Sequence, residues 1–249
     1  MTTLNQENMN ATILGQHAES MAYDFRREAL WSWLARHIPS QARTLDAGCG
    51  TGYFTLQLAR QGNPTLAIEH DDTLTSFAQK LLAREGLSVE VRRMALGTGQ
   101  IRALGQYERV ICMDVLEHIE DDAAAIADLR EALTPDGLLL ISVPSMPALY
   151  GERDRFIGHF RRYSPASLRA LAEGAGLRLV EGPRYWNALG VIPYLFYEKL
   201  LGQPINDDLR KPSKSALKRT IGRGICAWLK AETHLFLPFG LSLLLVCRR

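Results

Sequence analysis

The stretch Leu45-Asp46-Ala47-Gly48-Cys49-Gly50-Thr51-Gly52 leaves a short apolar run and enters a helical pattern. Glycines at alternate positions let the backbone turn tightly and bring a ligand against main-chain N–H groups at a helix start. A nicotinamide fingerprint would need a glycine at 53, where the chain has Tyr53, and here an acid, Asp46, precedes the first glycine. Both departures disfavour a diphosphate. Asp46 near a helix N-terminus suits a ligand with a cationic or hydrogen-bond-donating group. Seventeen residues past Gly52, Glu69 ends the next predicted strand, where an acid can accept hydrogen bonds from both ribose hydroxyls.

Strands and helices alternate outward from this turn. Strands are expected at Arg43–Ala47, Thr65–Glu69, Ser88–Arg93, Arg109–Met113 and Leu138–Val143, with helices at 22–37, Tyr53–Gln61, Thr73–Arg84 and Ala123–Leu133. Asp122 is read as the cap of the last of these, and Thr134–Gly137 as a turn. Ser164-Pro165 opens a further helix, Leu177–Val180 a further strand, and Leu241–Val246 reads as a last strand buried on both faces. Residues 187–233 break the rhythm. They hold an apolar stretch with Tyr194, Phe196 and Tyr197 just after Trp186, then a basic helix whose apolar stripe is Leu217, Ile221, Ile225 and Trp228. Seven Lys or Arg fall at 210, 211, 214, 218, 219, 223 and 230.

The chain has 249 residues, and 29 Lys+Arg against 27 Asp+Glu give a net charge of +2. With 47% apolar residues it can bury a sizeable core, which excludes disordered, collagen-like and coiled-coil classes. The near-neutral balance speaks against a nucleic-acid partner. The four cysteines, at 49, 112, 226 and 247, form neither a metal spacing nor a disulfide framework, as expected for free thiols in a reducing compartment. The polar N-terminus lacks a signal core, and the longest apolar run, near Leu235–Val246, is broken by Pro238 and Gly240. A cytoplasmic protein is expected: a loose tail over 1–21, then one domain over 22–249 with 187–233 as a helical lid or insertion.

LDAGCGTGYFT from Leu45, the acid Glu69, the run DVLEH from Asp114, and LTPDGL from Leu133 occur in this order. Together they resemble the motifs of the class I S-adenosylmethionine-dependent methyltransferases, over roughly residues 22–183. The resemblance implies a Rossmann-like α/β fold: a seven-stranded sheet, mostly parallel with a final antiparallel strand, helices on both faces, and a helical insertion before the last strand. It implies S-adenosylmethionine as cofactor and S-adenosylhomocysteine as product. The cofactor-binding set it implies is Asp46, Ala47, Gly48, Gly50, Gly52, Glu69, His70, Met94, Ala95, Met113, Asp114 and Arg26. Met94 stands where the family often has an acid for the adenine amino group, so backbone and apolar contacts are expected there, with His70 stacking on the ring. Arg26 or Arg27, on the N-terminal helix, would pair with the methionine carboxylate.

Methyl transfer from a sulfonium is an in-line displacement that needs alignment and sometimes removal of the acceptor's proton. No metal is expected, since capping explains Asp121-Asp122. His118, just past the fourth strand, is a candidate base, with helix capping or packing as the competing reading. The run from Tyr150 to Ser164 resembles the "D…GHxRRY" loop of one branch of the family. In it His159 or Tyr163 would take the acceptor's proton, while Tyr150, Arg161 and Arg162 would bind an acidic acceptor. The competing reading is a solvated charged loop with internal Asp154–arginine pairs. Neither the proline motif of nucleic-acid amino methylation nor a Pro-Cys nucleophile is present. The expected function is methylation of an O or N acceptor on a small, acidic or amphipathic molecule. The alternatives are a membrane-associated lipid or quinone methyltransferase, with 210–230 touching the membrane surface, and a non-catalytic S-adenosylmethionine-binding protein. A homodimer is a further expectation.

Overall fold

A computed structural model describes residues 25–201 and 215–249. The expected tail over 1–21 and the basic positions 210, 211 and 214 lie outside the described residues. Seven strands form one sheet: β1 Thr44–Ala47, β2 Thr65–Glu69, β3 Glu90–Arg93, β4 Tyr107–Met113, β5 Leu133–Pro144, β6 Arg178–Trp186 and β7 Ser242–Arg248. Their order is β3-β2-β1-β4-β5-β7-β6. The first five pair in parallel, and β7 runs antiparallel to both β5 and β6. The chain leaves β1 toward β3 and later returns to its other side at β4. The crevice at the carboxyl ends of β1 and β4 is therefore the switch point where open α/β sheets bind ligands.

Alternate side chains of the central strands point to opposite faces. Leu139, Ile141, Leu243 and Leu245 pack with Leu129 of α4 (Asp122–Glu131) and Leu168 of α6 (Pro165–Gly174). Leu140, Leu244 and Val246 pack on the other face with Leu30, Trp33 and Leu34 of α1 (Phe25–His37) and with Cys226 and Leu229 of α7 (Ala216–Glu232). A third cluster joins Leu56 of α2 (Tyr53–Arg60) to Ala78 and Leu82 of α3 (Asp72–Arg84). Apolar cover on both faces explains the unbroken apolar runs of β5 and β7. A short helix, α5 (Glu152–Phe156), follows β5, and a helical run, Val191–Leu200, follows β6.

Three expectations need correction. Residues Thr134–Gly137 do not separate a helix from a strand. They bulge within β5, which pairs at Leu133 with Tyr107 and resumes at Leu138 with Arg109. Asp121, not Asp122, caps α4, accepting from the Ala124 N–H at 2.9 Å, and Asp122 is left to face another loop. Ser164 does cap α6 with Pro165 in its first turn.

The third correction concerns α7. Of the stripe read from large apolar residues, Ile225 packs against the core, and the other three lie off the face it buries. Leu217 is 69% exposed, and Ile221 and Trp228 each 43%. The buried residues are Gly222, Cys226, Leu229 and Glu232. Polar links seat the helix: the Trp186 indole donates to the Leu229 carbonyl (2.9 Å), Glu232 accepts from the Ala188 N–H (3.0 Å), and Lys230 pairs with Glu28 of α1 (2.6 Å). The contact mixes Leu229 and Ile225 with small residues and a buried acid, a face offset from the stripe of large apolar residues.

Candidate active site

The glycine turn occupies the switch point. Gly48, Gly50 and Gly52 all have positive φ, at 82°, 55° and 83°. A side chain at Gly48 would start 2.5 Å from the Val115 methyl, so this glycine lets the turn pack against the segment after β4. At Gly50 an added Cβ meets nothing within 4 Å, leaving a face of bare backbone open to a ligand.

Glu69 fastens the turn. Its carboxylate accepts from the N–H groups of Gly50 (2.9 Å), His70 (2.8 Å) and Asp71 (3.1 Å). Burial works to raise its pKa, but the hydrogen bonds from His70, Asp71 and Gly50 outweigh it and hold the carboxyl below its ordinary value. Asp46 is almost fully buried and accepts from the Thr55 hydroxyl at 2.6 Å. Burial, with the Glu69 charge behind it, pushes Asp46 up to about 7. Two buried acids beside an open backbone cradle fit a ligand carrying ribose hydroxyls and positive charge, as S-adenosylmethionine does.

The other expected cofactor residues are placed as follows. His70 lies at the rim, its side chain 72% exposed and its Nδ1 2.9 Å from Glu69. Ala47 is buried in β1. The Met94 N–H donates to the Glu69 carbonyl, its side chain partly buried, and Ala95 is exposed. Met113 is buried at the end of β4. Asp114 takes a left-handed backbone (φ 55°) and accepts from the Ser142 hydroxyl at 2.7 Å, tying β4 to β5. Arg26 lies over Trp186 of β6 (5.7 Å), whereas Arg27 lies over Tyr53, the first residue of α2 (5.7 Å). Of this pair it is Arg27 that stands next to the glycine turn.

Across the crevice, the turn Leu116–His118 meets the loop that follows β5. The Phe160 N–H donates to the Glu117 carbonyl (2.7 Å), and the Tyr150 hydroxyl donates to the His159 carbonyl (2.9 Å). His159 and His118 meet edge to face, with centroids 4.6 Å apart. The Nδ1 of His159 is 3.0 Å from Asp154, and its Nε2 lies 3.9 Å from Glu117. Burial of Asp154 opposes its charge, but hydrogen bonds from His159 and Arg162 dominate and bring its carboxyl down to about 2. The Asp154 carboxylate holds the His159 ring by Nδ1, which turns Nε2 toward Glu117. Desolvation, then the neighbouring His159, holds His118 down at about 4, so its ring is neutral at pH 7.

The loop's arginines and tyrosine correct the sequence reading. Arg162 is buried, with Nε 2.8 Å from Asp154 and its remaining nitrogens on the Tyr194 hydroxyl (2.9 Å) and the Ser145 carbonyl (3.3 Å). Arg161 pairs with Asp122 at 2.8 Å and donates to the Glu120 carbonyl at 2.6 Å. Both guanidiniums brace the loop instead of waiting for an acidic acceptor, which is the internal-pair reading. Tyr163 is 3% exposed and donates its hydroxyl to Asp122 at 2.8 Å. Burial and that acid raise its ionisation far beyond the ordinary tyrosine range, so it cannot take a proton near neutral pH. Two residues that the sequence reading did not choose shape the site: Asp154, visible only as the leading acid of its loop motif, and Glu117, visible only inside DVLEH.

The family model for a methyltransferase domain matches residues 19–182. Over 158 residues the chain is 31% identical to the ubiquinone biosynthesis O-methyltransferase of Xanthomonas axonopodis pv. citri (strain 306), covering 58% of this chain and 66% of that protein. It is 30% identical over 169 residues to the protein of the same name from Xylella fastidiosa (strain 9a5c), covering 61% and 69%. The chain thus spans about two thirds of the length of these curated relatives. In fold it is similar to a TehB-like S-adenosylmethionine-dependent methyltransferase from Corynebacterium glutamicum, with TM-score 0.60, 16% identity, and 98% and 99% of the two chains covered. It is also similar to magnesium protoporphyrin IX methyltransferase from Synechocystis PCC 6803, solved with S-adenosylhomocysteine bound, with TM-score 0.55, 16% identity, and 90% and 82% covered. The chain belongs to the methyltransferase-domain family and is a class I S-adenosylmethionine-dependent methyltransferase.

Proposed function

We propose that the chain methylates a phenolic oxygen on a small aromatic acceptor of catechol or quinol type. The observation that carries this reading is the His118–His159 pair, oriented by Asp154, at the carboxyl end of β4. A phenol is a poor nucleophile until its proton is held or removed, and an imidazole oriented by a carboxylate serves that step. S-adenosylmethionine, when bound, supplies an electrophilic methyl group on a sulfonium. Asp46, the backbone at Gly50, and Glu69 would hold it. Leu116–His118 and the loop at 150–163 then orient the acceptor and keep water from it. The names of the curated relatives support an oxygen acceptor.

Labelled methyl transfer to catechols, primary amines and simple carboxylates tests the reading. Catechols should be methylated, and His159→Gln should lower kcat about 10²-fold or more while leaving S-adenosylhomocysteine binding intact. Methylation of amines alone would overturn it.

A second observation favours an acceptor met at a membrane surface. Among the described residues no helix is long and apolar enough to cross a membrane. Yet Ile192 (70% exposed), Leu200 (72%), Leu217 (69%) and Phe236 (86%) display large apolar groups along residues 189–239. Lys218, Arg219 and Arg223 on α7 are exposed in the same segment. Apolar groups beside basic ones suit an anionic bilayer interface. The segment is also tied to the site loop, since Tyr194 bonds Arg162 and the Leu149 carbonyl. The protein should float with phosphatidylglycerol vesicles at low salt and be released at 0.5 M salt, roughly, as surface electrostatics are screened. No binding at low salt, with a dimer in analytical ultracentrifugation, would assign the face to a second copy instead.

A further inference from the structure

We propose that Asp128, on α4, is a positioning residue: it shapes the loop 94–99 and through that loop selects adenine as the base of the cofactor. Asp128 is 6% exposed. One of its oxygens, Oδ2, accepts from three successive N–H groups, those of Gly97 (2.8 Å), Thr98 (3.1 Å) and Gly99 (3.1 Å). Successive N–H groups converge on one point only where the backbone winds around it, and such a concavity attracts an anion. Gly97 and Gly99 take left-handed φ, 79° and 74°, to wind that way. The anion is supplied by the chain itself, 29 to 31 residues away in sequence.

The loop stands where a base would lie. Strands β1, β2 and β3 are neighbours in the sheet, so the glycine turn, Glu69 and residue 94 stand in a row at their carboxyl ends. Two strand spacings, about 10 Å, separate the first from the last. A nucleoside held at Glu69 through its ribose therefore lays its base against the loop. The near end of the loop is fixed there, since the Met94 N–H donates to the Glu69 carbonyl at 2.9 Å. Asp128 fixes the far end. Between the two, Ala95 is exposed, and among the described residues its N–H meets no protein acceptor. The Thr98 hydroxyl donates to the Ala95 carbonyl at 3.1 Å and closes the loop on itself.

The core beneath the loop does not depend on the carboxylate. Ile101 and Leu104, just beyond the loop, pack with Ile126 and Leu129 of α4 through apolar groups alone. What Asp128 adds is the path of the backbone between Ala95 and Gly99. A base is told from its analogues by hydrogen bonds to groups held in place, so discrimination depends on where these amides stand. Without the acid, three donors lose their acceptor and the loop is free to shift. This inference rests on the proposed placement of the cofactor at Asp46, Gly50 and Glu69.

The test compares, by calorimetry on the full chain, the affinities for S-adenosylhomocysteine and S-inosylhomocysteine, whose base carries an oxo group in place of the adenine amino group. The native chain should prefer S-adenosylhomocysteine about tenfold or more. Asp128→Ala should weaken S-adenosylhomocysteine by a similar factor and the inosyl analogue far less, so that the preference collapses. In catalysis the KM for S-adenosylmethionine should rise while kcat at saturation changes much less. Asp128→Asn keeps an acceptor oxygen without the charge and should lose about threefold in preference, as charge-assisted hydrogen bonds become ordinary ones. No preference in the native chain, native preference in Asp128→Ala, or equal losses for both ligands would overturn the proposal, the last marking a merely structural acid. Should the alanine variant not fold, native preference in Asp128→Asn overturns it instead. Gly50→Val tells the two readings apart. Unchanged S-adenosylhomocysteine affinity in that variant removes the cofactor placement and this inference with it. Lost affinity there, with native preference in Asp128→Ala, removes the role of Asp128 alone.

Discussion

Replacing Arg162 by Ala is expected to destabilise the folded chain by about 3–5 kcal/mol, the usual cost of removing one partner of a buried ion pair. Asp154 is fully buried, and Arg162 and His159 share its Oδ1 at 2.8 and 3.0 Å. Without the guanidinium the carboxylate keeps its desolvation and loses its main counter-charge. The Ser145 carbonyl and the Tyr194 hydroxyl lose a donor in the same step. Urea denaturation at pH 7 measures the loss. A value below about 1 kcal/mol would return Arg162 to the crevice as an acceptor ligand, outside the range for breaking a buried pair.

The same pair sets an acid limb. Asp154 sits at about 2 in the folded chain against roughly 3.9 when unfolded. A depressed carboxyl stabilises the fold above its unfolded pKa, and that stabilisation drains as pH falls toward 2. For a shift of this size it is roughly 2–3 kcal/mol. In the Arg162→Ala protein, Asp154 should titrate higher, so the change in stability between pH 5 and pH 2 should shrink.

Gly50→Val is expected to weaken S-adenosylhomocysteine binding at least a hundredfold in calorimetry while the chain stays folded. The backbone at Gly50 has φ of 55°, where a β-branched residue is strained by about 1–3 kcal/mol. Its side chain would meet no protein atom within 4 Å of Cβ, so it enters the open face of the turn, not the core. The bare backbone that a ligand would approach is then covered. Gly48 is the poorer probe, because bulk there collides with Val115 and would disturb the packing of the turn itself. Unchanged affinity in Gly50→Val would move the cofactor away from this turn.

The glycine run, Glu69 and the period of the apolar residues were readable in the chain because each is a local property. A left-handed turn needs glycine wherever it occurs, and a doubly covered strand needs an unbroken apolar run. These were enough to yield the alternation of strands and helices and the place of the glycine turn; the antiparallel last strand came with the resemblance that the motifs carry. The basic helix was harder. Of its stripe, Leu217, Ile221 and Trp228 are exposed and Ile225 packs on the core, because what α7 buries is set by α1 and Trp186, neither of which is near it in sequence.

The acceptor side was decided by tertiary structure. From the sequence, Arg161, Arg162 and Tyr163 were three polar groups beside a crevice, equally fit to bind a substrate or to brace a loop. Which of these they do depends on where Asp122, Asp154 and Tyr194 lie, from 8 to 41 residues away along the chain. Charge pairing acts through space, and at these separations the folded chain alone fixes who meets whom. For the same reason Glu117, ordinary in a motif, becomes a buried acid facing two imidazoles. The sequence determined the class of enzyme, since its cofactor motif is contiguous; only the fold determined which side chains are free to act on the acceptor, since their partners come from different loops.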